Sequence, residues 1–302
     1  MPDIEDINGV SIDNVNAFSG VTLSGGEVID GVAVPSVPLL DTYTGASAAY
    51  SVRRLASGAT NLMRIREDSG DTETDIGYDS NGDLDTAAIA THCGTANGFV
   101  VSWIDQSGNG RDIEQPTSGT PSLQPKIYDG ATQSVLTDGI SSIPAIYFNG
   151  SNALQSSSFT TVNQPLTVFH SLTLAQALSG TRYMWSLQGI SVGVNNLADD
   201  GSKWKYWYGG SLDRGVGQSS VGQHVLTSLA DGTDSTIWDN GTMVVEGRQD
   251  AGSTGMDQIY LGGWVNTTNQ FDGYINEWII YPTDQDAAGN RTGIESNING
   301  YF

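Results

Sequence analysis

The sequence predicts an all-β protein: a two-sheet sandwich with one or two short helices, preceded by an extended arm of β-repeats. Three observations carry this. Short apolar runs recur from Leu39 onward; clusters of glycine, asparagine and aspartate separate them; and only 15% of the 302 residues are charged while 38 are glycine. Many short strands punctuated by turn residues are the pattern of a sandwich. With 38% hydrophobic residues the chain can fill a core, which excludes wholesale disorder.

The arm comes first. Ile7-Asn8-Gly9-Val10-Ser11-Ile12, Phe18-Ser19-Gly20-Val21-Thr22-Leu23 and Ile29-Asp30-Gly31-Val32-Ala33-Val34 repeat one unit at a spacing of eleven residues. Each unit reads apolar, polar, glycine, valine, small, apolar, which suits a short strand with a glycine bulge or bend. Three such strands cannot bury a core alone. Residues 1–38 are therefore expected to form an anchoring arm held by a neighbour, with a loosely attached leader as the alternative. Pro35 and Pro38 mark the linker, and residues 39–302 form the sandwich domain.

Within that domain, strands are predicted at 99–103, 145–148, 166–169, 236–238, 243–245, 258–261 and 274–280. Asp85 or Thr86 can cap a short helix through Ala87-Ala88-Ile89-Ala90, with Gly94 beyond its end. Thr283 and Asp286 form a cap-like pair ahead of a segment carrying Ile294 and Ile298 at i, i+4 spacing.

Charge and cysteine content exclude several classes. Twelve basic residues against 34 acidic ones give a formal charge of −22 and a pI near 4.1. That balance repels nucleic-acid phosphates and anionic membranes, so neither is an expected partner. No stretch approaches the ~18 apolar residues of a membrane helix. Cys93 stands alone, so no internal disulfide can form. Met1-Pro2-Asp3-Ile4-Glu5-Asp6 has neither the basic region nor the apolar run of a secretory signal. Synthesis and folding in a cytoplasm follow as the expectation.

The most specific stretch is Trp103-Ile104-Asp105-Gln106-Ser107-Gly108-Asn109-Gly110, some fifty residues after Tyr50-Ser51-Val52-Arg53-Arg54. A strand runs into a turn whose glycines can take the positive φ that other residues avoid. Together these segments resemble the start of the concanavalin-A-like catalytic domain of α-L-arabinofuranosidases, and a domain that recurs in virion proteins of tailed phages. Pro144-Ala145-Ile146-Tyr147-Phe148-Asn149-Gly150, Trp238-Asp239-Asn240-Gly241-Thr242-Met243-Val244 and Phe271-Asp272-Gly273-Tyr274-Ile275-Asn276-Glu277 are similar to successive strands of laminin-G-like and concanavalin-A-like domains. The resemblance covers roughly residues 40 to 302 and implies a concanavalin-A-like jelly roll. The Ile-Asn-Gly-Val repeats of the arm resemble N-termini of phage structural proteins.

The arabinofuranosidase resemblance also implies a pair of catalytic carboxylates about 5 Å apart, as retaining glycosidases need. In Met184-Trp185-Ser186-Leu187-Gln188-Gly189-Ile190, Gln188 stands where the family has a glutamate. In Leu261-Gly262-Gly263-Trp264, Trp264 stands where the family has an aspartate. An amide cannot form the glycosyl ester, so the normal route should be lost. The family's disulfides are missing as well. Glu67, Asp68, Glu73, Asp75, Asp239 and Glu277 could form a different pair; capping turns and lining solvated loops is their simpler role.

No other enzyme pattern is present. His92, His170 and His224 lack zinc spacing, no Gly-x-Ser-x-Gly elbow sits between a strand and a helix, and the glycines from Gly20 to Gly26 precede no lysine and helix. Two binding features remain. Asp79, Asn81, Asp83 and Asp85 space oxygen ligands as calcium loops do, although the glycine is shifted and no closing glutamate follows; a turn capping the next helix is the simpler account. Lys203-Trp204-Lys205-Tyr206-Trp207-Tyr208 alternates so that Trp204 falls on one face and Trp207 on the other. With Trp264 and Gln188, these rings would make a sugar-stacking surface, or else fill the sandwich or a subunit contact.

The sequence thus points to a virion surface protein: a capsid decoration, fibre or tail appendage. Residues 1–38 would bind other virion proteins, the chain would self-associate as a homo-oligomer, and a non-catalytic sandwich would contact host-surface glycans. An active arabinofuranosidase-type glycosidase and a ligand-free structural module are the alternatives.

Overall fold

The computed structural model describes residues 37–115, 120–176, 182–187, 221–244, 250–263 and 269–302 in full. It describes backbone alone for 180–181, 190–197, 201–208, 210–211 and six two-residue strands between 6 and 33. Those six strands pair as three separate hairpins, Ile7 opposite Val10, Phe18 opposite Val21 and Ile29 opposite Val32. This refines the expected repeat: each unit is a whole hairpin rather than one strand. The two residues between the strands are Asn-Gly, Ser-Gly and Asp-Gly, sequences suited to two-residue reversals.

The remaining strands form one antiparallel network folded into two layers. The front layer centres on Asp272–Tyr281. Leu166–Leu174 lies on one side of it; Ile146–Asn149 and Ala48–Ser51 share the other. Gly222–Ala230 and Thr236–Asp239 extend this layer outward. The back layer runs through Ile113–Glu114, Leu154–Ser156, Ile259–Leu261, Gly180–Leu187, Ile190–Leu197 and Gly201–Tyr208. Gly98–Trp103 joins the two: it pairs with Met63–Glu67 along one edge, and on the other with Lys126–Asp129 and then Ile113–Glu114.

Alternation explains where the core sits. Val168, Leu172, Trp278 and Ile280 of the front layer meet Leu154, Trp185, Leu187 and Leu261 of the back layer in the main core. Trp278 stacks on Tyr50, with ring centroids 5.8 Å apart, and meets Trp185 edge-on at 6.2 Å. The opposite face of the front layer presents Ala49, Phe169, Val225 and Ile279 to a second cluster formed with two helices. These are α1, Leu39–Thr42, through Leu39 and Leu40, and the C-terminal helix Arg291–Tyr301, through Ile294 and Ile298.

The helices between them test the capping arguments. The helix Thr86–Cys93 forms as expected: the Asp85 carboxylate accepts from the Ala88 amide at 2.8 Å, and Gly94 closes the other end with φ +56°. The C-terminal helix starts later than the Thr283/Asp286 pair implied, at Arg291. Asp286 instead accepts from the Arg291 guanidinium at 2.7 Å, so it orients a side chain at the helix start. The short helix α1 was not foreseen, because four residues carry no periodicity; burial of Leu39 and Leu40 holds it.

Two polar features lie inside this fold. Arg53 donates to both oxygens of Glu277, at 2.8 and 3.0 Å, and to Asn297 Oδ1 at 2.8 Å; Ser51 also donates to Glu277. The Tyr301 and Phe302 rings cover the guanidinium, at 4.6 and 5.6 Å. Glu277 is fully buried, so the pair matters mainly because losing either member would strand a charge. His170, between Leu226 and Trp278 in the cross-strand row, is also fully buried, and neither ring nitrogen has a partner among the described residues. Burial pushes its pKa down to about 3, so the ring stays neutral.

Candidate functional site

The Trp103–Gly110 stretch proves to be the framework of a cleft. Trp103 ends its strand with the indole N–H donating to the Ser51 carbonyl at 3.1 Å. The buried carboxylate of Asp105 then gathers four donors: the amides of Ala49 (2.9 Å), Ser107 (2.9 Å) and Arg111 (3.0 Å), and the Ser107 hydroxyl (2.9 Å). Gln106 accepts from the Leu55 amide and donates to the Arg53 carbonyl. Asn109 donates to the carbonyls of Ala46 and Ser47. Gly108 and Gly110 adopt φ +84° and +66°, the left-handed turn geometry their sequence anticipated. This polar string therefore pins a loop against the segment from Ala46 to Leu55.

The end of this loop and the residues just after it are what the cleft uses. Asn109, Gly110, Arg111, Asp112 and Glu114 form one wall of a cleft of about 420 Å³, and Gln155, Ser157, Ser158, Phe159 and Thr160 form the other. Ile113 is buried in the core, while Asp112, just before the strand Ile113–Glu114, and Glu114 within it both line the cleft. Opposite Glu114 in the register stands Gln155.

The charges of the cleft are unevenly committed. Arg111 lies over the Phe159 ring, its guanidinium carbon 4.1 Å from the centroid, and donates to the carbonyl and hydroxyl of Ser47. Asp112 accepts one bond, from the Asp105 amide at 2.8 Å. Its pKa is raised, first by burial and then by the neighbouring Asp105 carboxylate, against the lowering effect of that amide. The Glu114 side chain is exposed and has no partner among the described residues. With Gln155 and the serine and threonine hydroxyls, the cleft offers donors and acceptors around one aromatic ring, which is the composition of a site for a polyhydroxylated ligand.

Gln188 and Trp264 lie outside the described residues. Their described neighbours do have a register: Leu187 pairs with Ile259 and Trp185 with Leu261 in antiparallel strands, which sets Leu187 and Gly263 toward opposite ends of that strand pair. Gly262 in the Leu-Gly-Gly turn has a structural reason to be glycine: its φ is +81°, and a Cβ there would come 2.2 Å from the Phe148 ring. Trp204 and Trp207 belong to the strand Gly201–Tyr208, and their side chains lie outside the described residues. By register Trp207 stands opposite Ser191, whose partner Ser186 pairs with Tyr260 and, through it, with Gln155 of the cleft.

The Asp79–Asp85 loop is a hydrogen-bonded turn. Asp79 Oδ1 accepts from the amides of Asn81 (2.8 Å) and Asp83 (3.1 Å), Asp83 accepts from the Tyr301 hydroxyl, and Asp85 caps the following helix. Among the described residues no group of three histidine, cysteine, aspartate or glutamate side chains is placed to hold a metal ion. The other acids noted in the sequence are each engaged. Glu67 accepts from the amides of Ser69, Gly70 and Thr72 and from two hydroxyls. Asp68 accepts from Asn97, and Glu73 and Asp75 pair with Arg64. Asp239 binds His224 Nδ1 at 2.9 Å, and Glu277 holds Arg53.

Sequence reasoning missed the cleft because its far wall, Gln155–Thr160, carries no motif. The signal it could have used is the Asp112/Glu114 pair directly after the glycine-rich turn.

Comparison with known proteins places this geometry in context. No protein-family model matches the sequence, and no curated protein matches it. Among solved structures, the fold is similar to a GH54 α-L-arabinofuranosidase complexed with arabinofuranosyl-α-1,2-xylobiose, with a TM-score of 0.66 and 15% identity over 85% of this chain and 64% of that one. The same enzyme type soaked with a cyclic sulfate inhibitor gives the same values. A Trypanosoma rangeli sialidase in complex with sialic acid is similar at a TM-score of 0.51 and 12% identity, over 91% of this chain and 36% of that one. At such identities the likeness establishes the fold, an all-β sandwich of the kind these glycosidases contain. The chain spans less than two thirds of the length of the arabinofuranosidases it resembles.

Proposed function

We propose that this protein binds carbohydrate without cutting it, through the cleft between Asn109–Glu114 and Gln155–Thr160, as a surface component of a tailed-phage particle. The observation that carries the binding reading is the cleft itself: unpartnered Glu114, half-committed Asp112 and a ring covered by a fixed arginine, on a framework that the Asp105 hydrogen bonds hold rigid. Preorganised acceptors and donors lower the ordering cost of binding a flexible, hydroxyl-rich ligand. The sandwich fold shared with carbohydrate-active enzymes supports the same reading.

The arrangement favours binding over hydrolysis. Asp112 and Glu114 stand two residues apart on the same stretch of chain and so approach a bound sugar from the same side. Glycosidic cleavage by a carboxylate pair needs the two groups on either side of the scissile bond. Residues 1–38 supply the attachment: among the described residues their strands pair in separate two-stranded units, and units of this size need a neighbour to be stable. Many copies on one particle, homo-oligomeric or arrayed, would raise weak single-site affinity by avidity.

Screening the full chain against a glycan array, with Gln155→Ala and Glu114→Gln as controls, tests the site. Retained binding in both variants would move the site elsewhere. Turnover of aryl-arabinofuranosides by the purified protein would establish the hydrolase reading instead. Deleting residues 1–38 should abolish incorporation into particles while the sandwich remains folded; normal incorporation would refute the anchor.

A further inference from the structure

The charge layout of the cleft narrows its ligand, given the carbohydrate reading above. Other buried or half-buried acids are either paired with a cation, as Glu277 with Arg53, Glu295 with Arg291 and Asp129 with Lys126, or saturated by amides and hydroxyls, as Glu67, Asp105 and Asp138 are. In the cleft the matching fails. Its one cation, Arg111, is turned to Ser47 and the Phe159 ring, and Glu114 has no partner among the described residues. Asp112 keeps one oxygen uncommitted beside it. The two carboxylates line the cleft from positions two residues apart, ~7 Å between backbones, a span that one ammonium can bridge.

We propose that the cleft selects sugars bearing a free amino group, its ammonium held by Glu114 and Asp112 while Gln155 and the hydroxyls of Ser157 and Ser158 take the ring hydroxyls. The carboxylates then acquire the charge-assisted hydrogen bonds that the rest of the protein does not give them. The half-buried position of Asp112 makes an arriving cation worth more there than at the open surface. Uronic and other acidic sugars meet two negative charges at the same place and are rejected.

Isothermal titration calorimetry of the full chain with three tetrasaccharides tests this: glucosamine, N-acetylglucosamine and galacturonic acid. The glucosamine tetramer should bind about tenfold more tightly than its acetylated counterpart, in keeping with one charge-assisted contact pair, and the galacturonate should not bind. Glu114→Gln should remove most of that preference. Glu73→Gln, which takes one charge from a distant edge strand, should preserve it. Equal or tighter binding of the acetylated or acidic tetramer overturns the amino-sugar inference while sustaining a sugar site. An equal loss in Glu73→Gln also overturns it, because the net charge would then explain the preference. Failure of all three to bind, with no other glycan bound on the array, overturns the sugar site itself.

Discussion

Glu67 and Glu114 each end a strand of the same antiparallel network, and they are used in opposite ways. Glu67, at the end of Met63–Glu67, turns its carboxylate back onto its own loop, where three amides and two hydroxyls converge on it. Those hydrogen bonds, Ser69 first, hold its pKa well below the usual carboxylate range. Glu114, at the end of Ile113–Glu114, has no such loop and faces the cleft unpartnered among the described residues. A carboxylate whose oxygens are saturated by its own chain is part of the architecture. One whose oxygens are left open on a braced wall is available to a ligand.

That contrast can be broken or sharpened by substitution. Asp105 is the extreme of the saturated kind, and Asp105→Ala should have the largest effect. Four donors lose their acceptor at a site where Asp105 is only 8% exposed, so urea unfolding should show a loss of about 3 kcal/mol, with cleft binding abolished. Survival of both stability and binding would mean that the turn does not brace the cleft.

Next comes His170, a buried group with the opposite sign. Its folded pKa of about 3 lies below the ordinary histidine value. Between ~6.5 and 3 the unfolded chain therefore takes up a proton that the folded chain refuses. Stability should fall with pH across that window, by at most about 1.4 kcal/mol per pH unit, and His170→Gln should flatten the fall. Measuring unfolding free energy at pH 7, 6 and 5 decides it.

Glu67→Gln should act lower on the pH scale. Because its folded pKa is depressed, Glu67 stabilises the fold above the unfolded value of ~4.3 and loses that contribution as pH falls toward the folded one. The variant should have a lower Tm at pH 7 and a shallower loss between pH 5 and 2. The smallest stability effect belongs to Glu114→Gln, within about 0.5 kcal/mol of the parent, although it should weaken ligand binding most among the single-atom changes. A clear destabilisation by Glu114→Gln would place it with Glu67 and end the comparison.

The sequence and the structure agree where a local rule decides the outcome. Asp85 and Gly94 bound the helix Thr86–Cys93 because caps act within a few residues. The string Asp105 to Gly110 announced a tight turn because glycines there must take positive φ. Where partners are remote, the sequence was silent. Nothing about Arg53 marks Glu277 as its acceptor, and nothing about Gln155–Thr160 marks it as the far wall of a cleft begun at Asn109. The expected Gln188 and Trp264 positions came from resemblance to a family rather than from local chemistry, and the site that geometry supports instead lies on residues which that resemblance did not single out. The N-terminal repeats show a third case: the period was plain, while the pairing of each unit with itself depended on a two-residue reversal.

The Arg53 clamp carries a consequence for how the molecule is made. Its carboxylate partner arrives 224 residues later, and the strand Ala48–Ser51 finds its neighbour only in Glu277–Ile280. Closing so large a loop is slow and entropically unfavourable. Vectorial synthesis therefore cannot complete this sandwich strand by strand: the early segment must wait, with its guanidinium hydrated and its apolar flank open, until the ribosome has released the late one. Helper chaperones would find their binding window in that interval.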